Sequence, residues 1–359
     1  MGSKQAPSAT LASLLDDPQI QGIMVDGPNQ VYVQRGSDVE DVPTPFRDDE
    51  HVISAIRALV EPLGIPFDQD HPILDARLGD GSRVNAVIAP IASAGTALTI
   101  QKSAEFRRKL TLEDLLSFGV WDEDVVRFVR ACIAARLNVV ISGGTNAGKS
   151  TLLRVLGEMI PQEERVIVVQ ALAEIRLPHK RCVYLESRPP DLAGKGEVSV
   201  GELLASALRM RPDRLVAGEL RASETLVLLQ AMNTGHEGAL ATLHAVNPRD
   251  ALDRLESMAA LHPIAMPLLA IRKLVANTVH VIVQIRRMGD GSRKVTSVAE
   301  VVGMEGNVIV TQEIFVFQET GREGDRIVGR HMPTGIIPKC MQQIRDAGVD
   351  LPLGLFAPG

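Results

Sequence analysis

The stretch "ISGGTNAGKSTLL", Ile141 to Leu153, contains Gly143-x-x-x-x-Gly148-Lys149-Ser150, a spacing suited to gripping a chain of phosphates. Gly143, Gly144 and Gly148 let successive backbone N–H groups curve around an oxyanion where side chains would intrude. Thr145, Asn146 and Ala147 complete the turn, and Asn146 tolerates positive φ better than most residues. Lys149 is placed to reach the β- and γ-phosphates of ATP, and the Ser150 hydroxyl to ligate Mg2+, with Thr151 closing the set. A phosphate cradle needs a second acid, at the end of another buried strand, to hold the metal's water shell. "RLVAGELR" supplies Glu219 in that position. Just downstream, "TGHEGALATLHA" places His236 and His244 around a further strand, as candidates for sensing the γ-phosphate.

These residues need a scaffold, and the pattern around them predicts one. "LNVVIS" (137–142) is a short apolar strand entering the Gly-rich loop, and "STLLRVLGEMI" continues as a helix. "RVIVV" (165–169), "DRLVAGEL" (213–220) and "GALATLHA" (238–245) read as further buried strands. The helical stretches "GELLASALRM", "ASETLVLLQAMN" and "ALDRLESMAAL" alternate with them. This alternation predicts a largely parallel sheet with helices on both faces. Toward the end, "VHVIVQIRRMGDGSRKVTSVAEVVGM" and "NVIVTQEIFVFQ" read as antiparallel strands with an Asp-Gly turn at 290–291.

The first hundred or so residues read differently. "IQGIMVDGPNQVYVQ" suggests two strands around a Gly-Pro-Asn turn, and "DARLGDGSRVNAVIAP" a strand pair around Asp80-Gly81. "DDEHVISAIRALVEPLG" has Ile53, Ile56, Leu59, Val60 and Leu63 at helical spacing and stops at Gly64. The resulting division is an α+β domain over 1–102, a linker over 103–112, and an α/β P-loop domain over 113–359.

Bulk composition narrows the partners. The chain has 359 residues, 45% of them hydrophobic, and a net charge of −6, which argues against non-specific nucleic-acid binding. Three cysteines, Cys132, Cys182 and Cys340, lack metal-like spacing and suit a reduced, cytoplasmic setting. No apolar run reaches the ~18 residues of a membrane span, so work at a membrane would be done from the side.

The motifs together resemble the secretion ATPases of the type II/type IV superfamily, in the CpaF-like or Tad (tight adherence) pilus branch. The likeness runs from about Leu11 to the final strands, and is most specific over 208–258, with "DARLGDGSRVNA" (75–86) and "VAEVVGMEGNVI" (298–309) also matching. The resemblance implies a RecA-like motor domain beside a smaller N-terminal domain, assembled in a ring, usually a hexamer. It implies ATP and Mg2+ as cofactors, inner-membrane platform proteins as partners, and peripheral attachment there, with room for a second, paralogous ATPase. It assigns Lys149 and Ser150 to Walker A, Glu219 to Walker B, and His236 and His244 to a histidine box. Arg209 and Arg221 fall at arginines held near the nucleotide or subunit interface, and Arg77 and Arg83 in the segment that closes over ATP.

The chain also departs from that family. Its acidic box usually reads like "IEDTAEL", whereas "VVQALAEI" (168–175) puts Gln170 where the catalytic glutamate is expected and keeps only Glu174 charged. A glutamine can position a water but cannot accept its proton. Gln101 in "LTIQKS" replaces an arginine usually aimed at the phosphates, with Lys102 as a partial substitute. Two readings follow: a pilus or secretion motor ATPase, slowed by these changes, or a nucleotide-binding, weakly hydrolysing partner subunit. On the second, restoring Glu at 170 and Arg at 101 should raise turnover. A DNA translocase or conjugation motor shares the P-loop, and the acidic charge and scarcity of aromatics for base stacking disfavour it.

Overall fold

The computed structural model describes residues 11–36, 38–102, 110–188, 190, 194–222, 224–264 and 266–358. Contacts divide the chain into two compact units, 1–109 and 110–359. Most of the expected linker, 103–109, lies outside the described residues. Its last residues belong to the second unit: the Leu110 carbonyl accepts from Arg154, and Thr111 caps the first helix there.

The first unit is an antiparallel sheet backed by helices. Its strands are β1 (Gly22–Asp26), β2 (Val31–Arg35), β3 (Asp38–Val42), β4 (Ile73–Arg77), β5 (Arg83–Val87) and β6 (Ala97–Gln101), in the order β3-β2-β1-β6-β5-β4. Helices α1 (Leu11–Asp16) and α2 (Asp49–Val60) supply Leu14, Val52, Ile53 and Ile56 to the core formed with Ile23, Val25, Val33 and Ile100. Asp48 caps α2 by accepting from the His51 N–H, and the chain leaves through a short 3-10 turn that ends at Gly64, φ 66°.

The second unit opens with α3 (Leu112–Ser117) and α4 (Glu123–Ala134). Then follow β7 (Val139–Gly143), α5 (Lys149–Glu158), β8 (Val166–Gln170), β9 (Cys182–Glu186), α6 (Val200–Leu208) and β10 (Arg214–Leu220). Next come α7 (Glu224–Asn233), β11 (Leu240–His244), α8 (Pro248–Ala260), α9 (Leu268–Thr278) and β12 (Val281–Arg287). The chain closes with β13 (Arg293–Glu305), β14 (Val308–Glu323), β15 (Arg326–Pro333) and α10 (Met341–Asp346).

Nine strands make one sheet in the order β15-β14-β13-β12-β7-β11-β10-β8-β9. From β9 to β12 neighbouring pairs are parallel, and from β12 to β15 antiparallel. Strands β7, β8, β10 and β11 are buried on both faces, which explains their continuous apolar runs. Val139 and Ile141 join the core under α4 and α5, whereas Val140 joins the core under α6 to α9. The helix-covered parallel sheet expected from the alternating pattern is therefore present. β12, read from sequence with the antiparallel end, also pairs in parallel with β7. Edge strand β9 is only partly buried throughout, so it carries no burial alternation to read.

One buried ionic node ties the lower end of this sheet. Arg214, 1% exposed, donates to the Glu164 carboxylate, to the Ile133 carbonyl at 2.9 Å and to the Gly238 carbonyl at 3.3 Å. A Cβ on Gly238 would sit 2.0 Å from the Arg214 guanidinium, and Gly238 has φ 80°. Gly235 also has positive φ, 97°, but nothing lies within 4 Å of its Cβ position. Gly238→Ala should therefore destabilise the protein by roughly 2–4 kcal/mol, adding displacement of a buried ion pair to backbone strain, against about 1 kcal/mol for Gly235→Ala. Denaturant unfolding followed by Trp121, the single tryptophan and 1% exposed, measures both. Equal losses would show that Gly238 serves φ alone.

Candidate functional site

The Gly-rich loop leaves β7 at a point where no side chain fits. A Cβ on Gly143 would lie 2.4 Å from the Ile285 carbonyl oxygen of β12. One residue earlier, the Ser142 hydroxyl donates to the buried Gln284 side chain, whose Nε2 donates in turn to the Ala245 carbonyl at 3.2 Å. The base of the loop is thus clamped between the ends of β11 and β12. Asn146 and Gly148 then take left-handed conformations, φ 58° and 102°. Helix α5 begins at Lys149 with no side chain capping its first turn. Its leading N–H groups, with the loop's own, are the donors that an anion would satisfy.

Lys149, 8% exposed, lies across this loop. Its Nζ donates to the Gly144 carbonyl at 3.1 Å and pairs with Glu219 Oε1 at 3.2 Å. Arg221 grips the other carboxylate oxygen, Oε2, through Nε at 2.9 Å and Nη2 at 2.6 Å. Glu219 reaches this position through an irregularity in the β10–β11 pairing between Ala217 and Glu219. Gly218 allows it: a Cβ there would already crowd Gln170 Cβ at 3.1 Å. Burial pushes the Glu219 carboxyl up, but the Arg221 hydrogen bond and the Lys149 charge outweigh it and hold it below the usual glutamate range. Glu219 therefore stays ionised, as a ligand to a metal's water shell must be.

The acidic-box region is built around Gln170. At the end of β8 and 2% exposed, it accepts at Oε1 from the N–H groups of Glu174 (3.1 Å) and Ile175 (2.9 Å). Its Nε2 donates to the Ile175 carbonyl at 3.4 Å. The Ala173 N–H donates to Glu186 at 3.0 Å from the other side. So folded, the loop sets Glu174 Oε2 at 2.9 Å from the donating Ser150 hydroxyl. This corrects the reading of Gln170 as a water-positioning residue, because both ends of its amide are spent on the loop backbone. The acid that meets Ser150 is Glu174.

The other expected residues divide by place. His244 ends β11 directly opposite Gly143, at the end of the sheet that carries the loop. Arg209 caps the C-terminus of α6, before β10 begins, and His236 precedes β11. Because β10 and β11 run parallel to β7 through β11's pairing with both, these two lie beyond the opposite end of the sheet, ~17 Å or more from the loop. Within this chain, therefore, neither the catalytic role expected of Arg209 nor the nucleotide contact expected of His236 is at this cradle. Arg77 and Arg83 belong to the first unit, opposite each other across β4 and β5, and Arg83 forks onto Asp75 at 3.1 and 2.6 Å. Lys102 is not a substitute for the missing arginine. Only 3% exposed, it donates to the carbonyls of Leu15 and, at 2.8 Å, Asp17, which fixes the end of α1.

Gln284 and Ile285 were not singled out in the sequence. A glutamine inside an apolar strand, "VIVQI", is the signal that marks the first of them. No cluster of three His, Cys, Asp or Glu side chains arranged to hold a metal occurs among the described residues. The donor set instead suits Mg2+ bound chiefly by phosphates and water, with Ser150 and the two acids around it.

Comparison with known proteins fits this geometry. Residues 4–330 match the family model described as type II/IV secretion system protein. A Mycobacterium tuberculosis protein named for conjugal transfer is 33% identical over 304 residues, covering 83% of this chain and 85% of that protein. The type IV secretion system protein PtlH of Bordetella pertussis is 34% identical over 254 residues, covering 63% of this chain and 73% of PtlH. Among solved structures, the Legionella pneumophila ATPase DotB superposes with a TM-score of 0.57 at 17% identity, covering 81% of each chain, and shares the fold. The expected fold class, a RecA-like P-loop domain with a smaller α+β N-terminal domain, is thereby met. The chain belongs to the type II/IV secretion system protein family.

Proposed function

We propose that this chain is an ATP-hydrolysing motor subunit of a pilus or secretion machine, working as a homo-oligomeric ring, a hexamer by analogy with its family. The observation that carries the reading is the convergence of Lys149, Glu219, Ser150 and Glu174 at the mouth of a loop that admits no side chain at Gly143. The loop amides and Lys149 would hold the phosphates of ATP; Ser150 and, through water, Glu219 would hold Mg2+. When bound, ATP·Mg2+ supplies a phosphoanhydride bond polarised for attack. Glu174, which accepts from the Ser150 hydroxyl, is the group that would take the proton from the attacking water at Oε2. His244 stands at the same end of the sheet to sense the terminal phosphate, and Arg221 orients Glu219.

The alternative, a weakly hydrolysing partner subunit, rests on Gln170 and Gln101. The geometry favours the motor, because Gln170 leaves the chain with an acid at the site rather than without one. No helix among the described residues is long and apolar enough to cross a membrane, so attachment at an inner membrane would run through platform proteins. The relatives named for conjugal transfer make DNA export by such a machine the reading to test against protein or pilin cargo. DNA-stimulated ATPase activity would favour it.

Lys149→Ala should weaken ATP binding roughly 100-fold by removing the main charge-assisted phosphate contact, measured by titration calorimetry; unchanged affinity would refute the cradle. Glu174→Gln should lower kcat by ~10²–10⁴ while leaving ATP affinity within a few-fold. Gln170→Glu, which would raise turnover if residue 170 were the missing base, should lower it instead. The change removes the donor to Ile175 and sets a second carboxylate beside Glu174. A faster Gln170→Glu enzyme would return the base to position 170.

A further inference from the structure

The end of the sheet that carries the phosphate loop also carries cations that the site above leaves unused. Ile285 of β12 lies opposite Gly143, so the strand's last residues, Arg286 and Arg287, run on past the loop at that same end. The chain turns at Asp290-Gly291 and comes back antiparallel, which places Arg293 opposite Arg287. The Arg293 stem packs against the loop: its Cγ is 3.7 Å from where a Cβ on Gly148 would be. The neighbouring residue, Lys149, reaches the other way, to Glu219 on β10.

No carboxylate neutralises this arginine pair among the described residues. The hydrogen bond that Arg293 makes is to the Gly291 carbonyl, at 3.2 Å. Asp290, in the same turn, spends its carboxylate on the Ser292 N–H and hydroxyl and on the Ile327 N–H, at 2.9, 2.7 and 2.7 Å. Burial, and then the charge of Arg287, both act against the ionised form of Arg293. A half-buried guanidinium beside a second one, on the rim of an anion-binding loop, gains from an anion between them.

Strand order says which part of a nucleotide that anion would be. Glu219 on β10 and Gln170 with Glu174 after β8 lie on one side of β7, and the β12–β13 turn lies on the other. The phosphate nearest the acids and the metal is the terminal one. The opposite end of the phosphate chain, bearing the nucleoside, would then face the arginines.

We propose that Arg287 and Arg293 form a second anion clamp for nucleoside di- and triphosphates, engaging the α-phosphate that ADP and ATP share and leaving the terminal phosphate to Lys149. The clamp rests on the reading of this loop as an ATP site. It assigns the β12–β13 hairpin a direct part in nucleotide affinity, distinct from its part in the sheet.

The test is calorimetric binding of ADP and of a non-hydrolysable ATP analogue, with Mg2+, to the full chain at low and high salt. Arg293→Gln and Arg287→Gln should each weaken both ligands by the same factor, about tenfold, with a shallower salt dependence; Arg293→Lys should recover most of the loss. If the unaltered chain binds both ligands and Lys149→Ala does not, yet the arginine variants bind as the unaltered chain does, the clamp is wrong while the ATP site stands. If the unaltered chain binds neither ligand, the ATP reading itself fails and the clamp with it. A larger loss for the ATP analogue than for ADP would move the contact to the terminal phosphate and overturn the α-phosphate assignment. Arg293→Lys no better than Arg293→Gln, with a matching fall in Tm, would reduce Arg293 to a structural residue.

Discussion

The site depends on a contact between two backbones. The Ile285 carbonyl occupies the space where a side chain on Gly143 would begin, because β12 pairs in parallel with β7 up to that residue. A larger residue at 143 would push the strands apart at the point where the loop must turn. The pairing sets where the loop leaves the sheet, and Ser142 and Gln284 lock it from beneath. Everything else at the site is measured from that exit: Lys149 at the start of α5, His244 on one neighbouring strand and the arginine-bearing hairpin on the other.

Around that exit, charge is arranged in pairs that keep each group in its working form. Lys149 and Arg221 hold Glu219 ionised despite partial burial, and Glu219 in turn gives Lys149 a partner inside a site that is 8% exposed at the lysine. Glu174 owes its position to a neutral neighbour. Gln170 can both accept from and donate to the loop backbone, a combination that a carboxylate at the same buried place does not offer. The departure from the family's acidic pattern thus has a structural use, and charge is retained four residues further on.

The far end of the sheet follows a different logic. There the buried Arg214 spends its guanidinium on Glu164, which also pairs with Arg136, and on the backbone carbonyls of Ile133 and Gly238. Gly238 sits in the same "TGHEG" run as His236, and its geometry is explained by the Arg214 guanidinium pressed against it. Part of what reads as a nucleotide-sensing motif is, within one chain, the packing of a sheet end.

Features that depend on neighbours along the chain are legible without coordinates. The glycine spacing and Lys149-Ser150 are local, and so are the apolar runs that place a strand before the loop and a helix after it. Glu219 was legible because a charged residue closing an apolar strand needs only the strand to locate it. What the tertiary structure alone decided were contacts between residues distant in sequence. Gln170 announced a missing acid, but its grip on Glu174 depends on how the following loop folds back. Lys102 reads as a spare cation in the sequence, but its ammonium is buried on the Leu15 and Asp17 carbonyls at the end of α1. Arg209 and His236 required the direction of β10 and β11 relative to β7, and Arg293 required the register of a hairpin far downstream against Gly148. Strand order and register are settled by the summed packing of both sheet faces, a quantity that no short stretch of the chain contains.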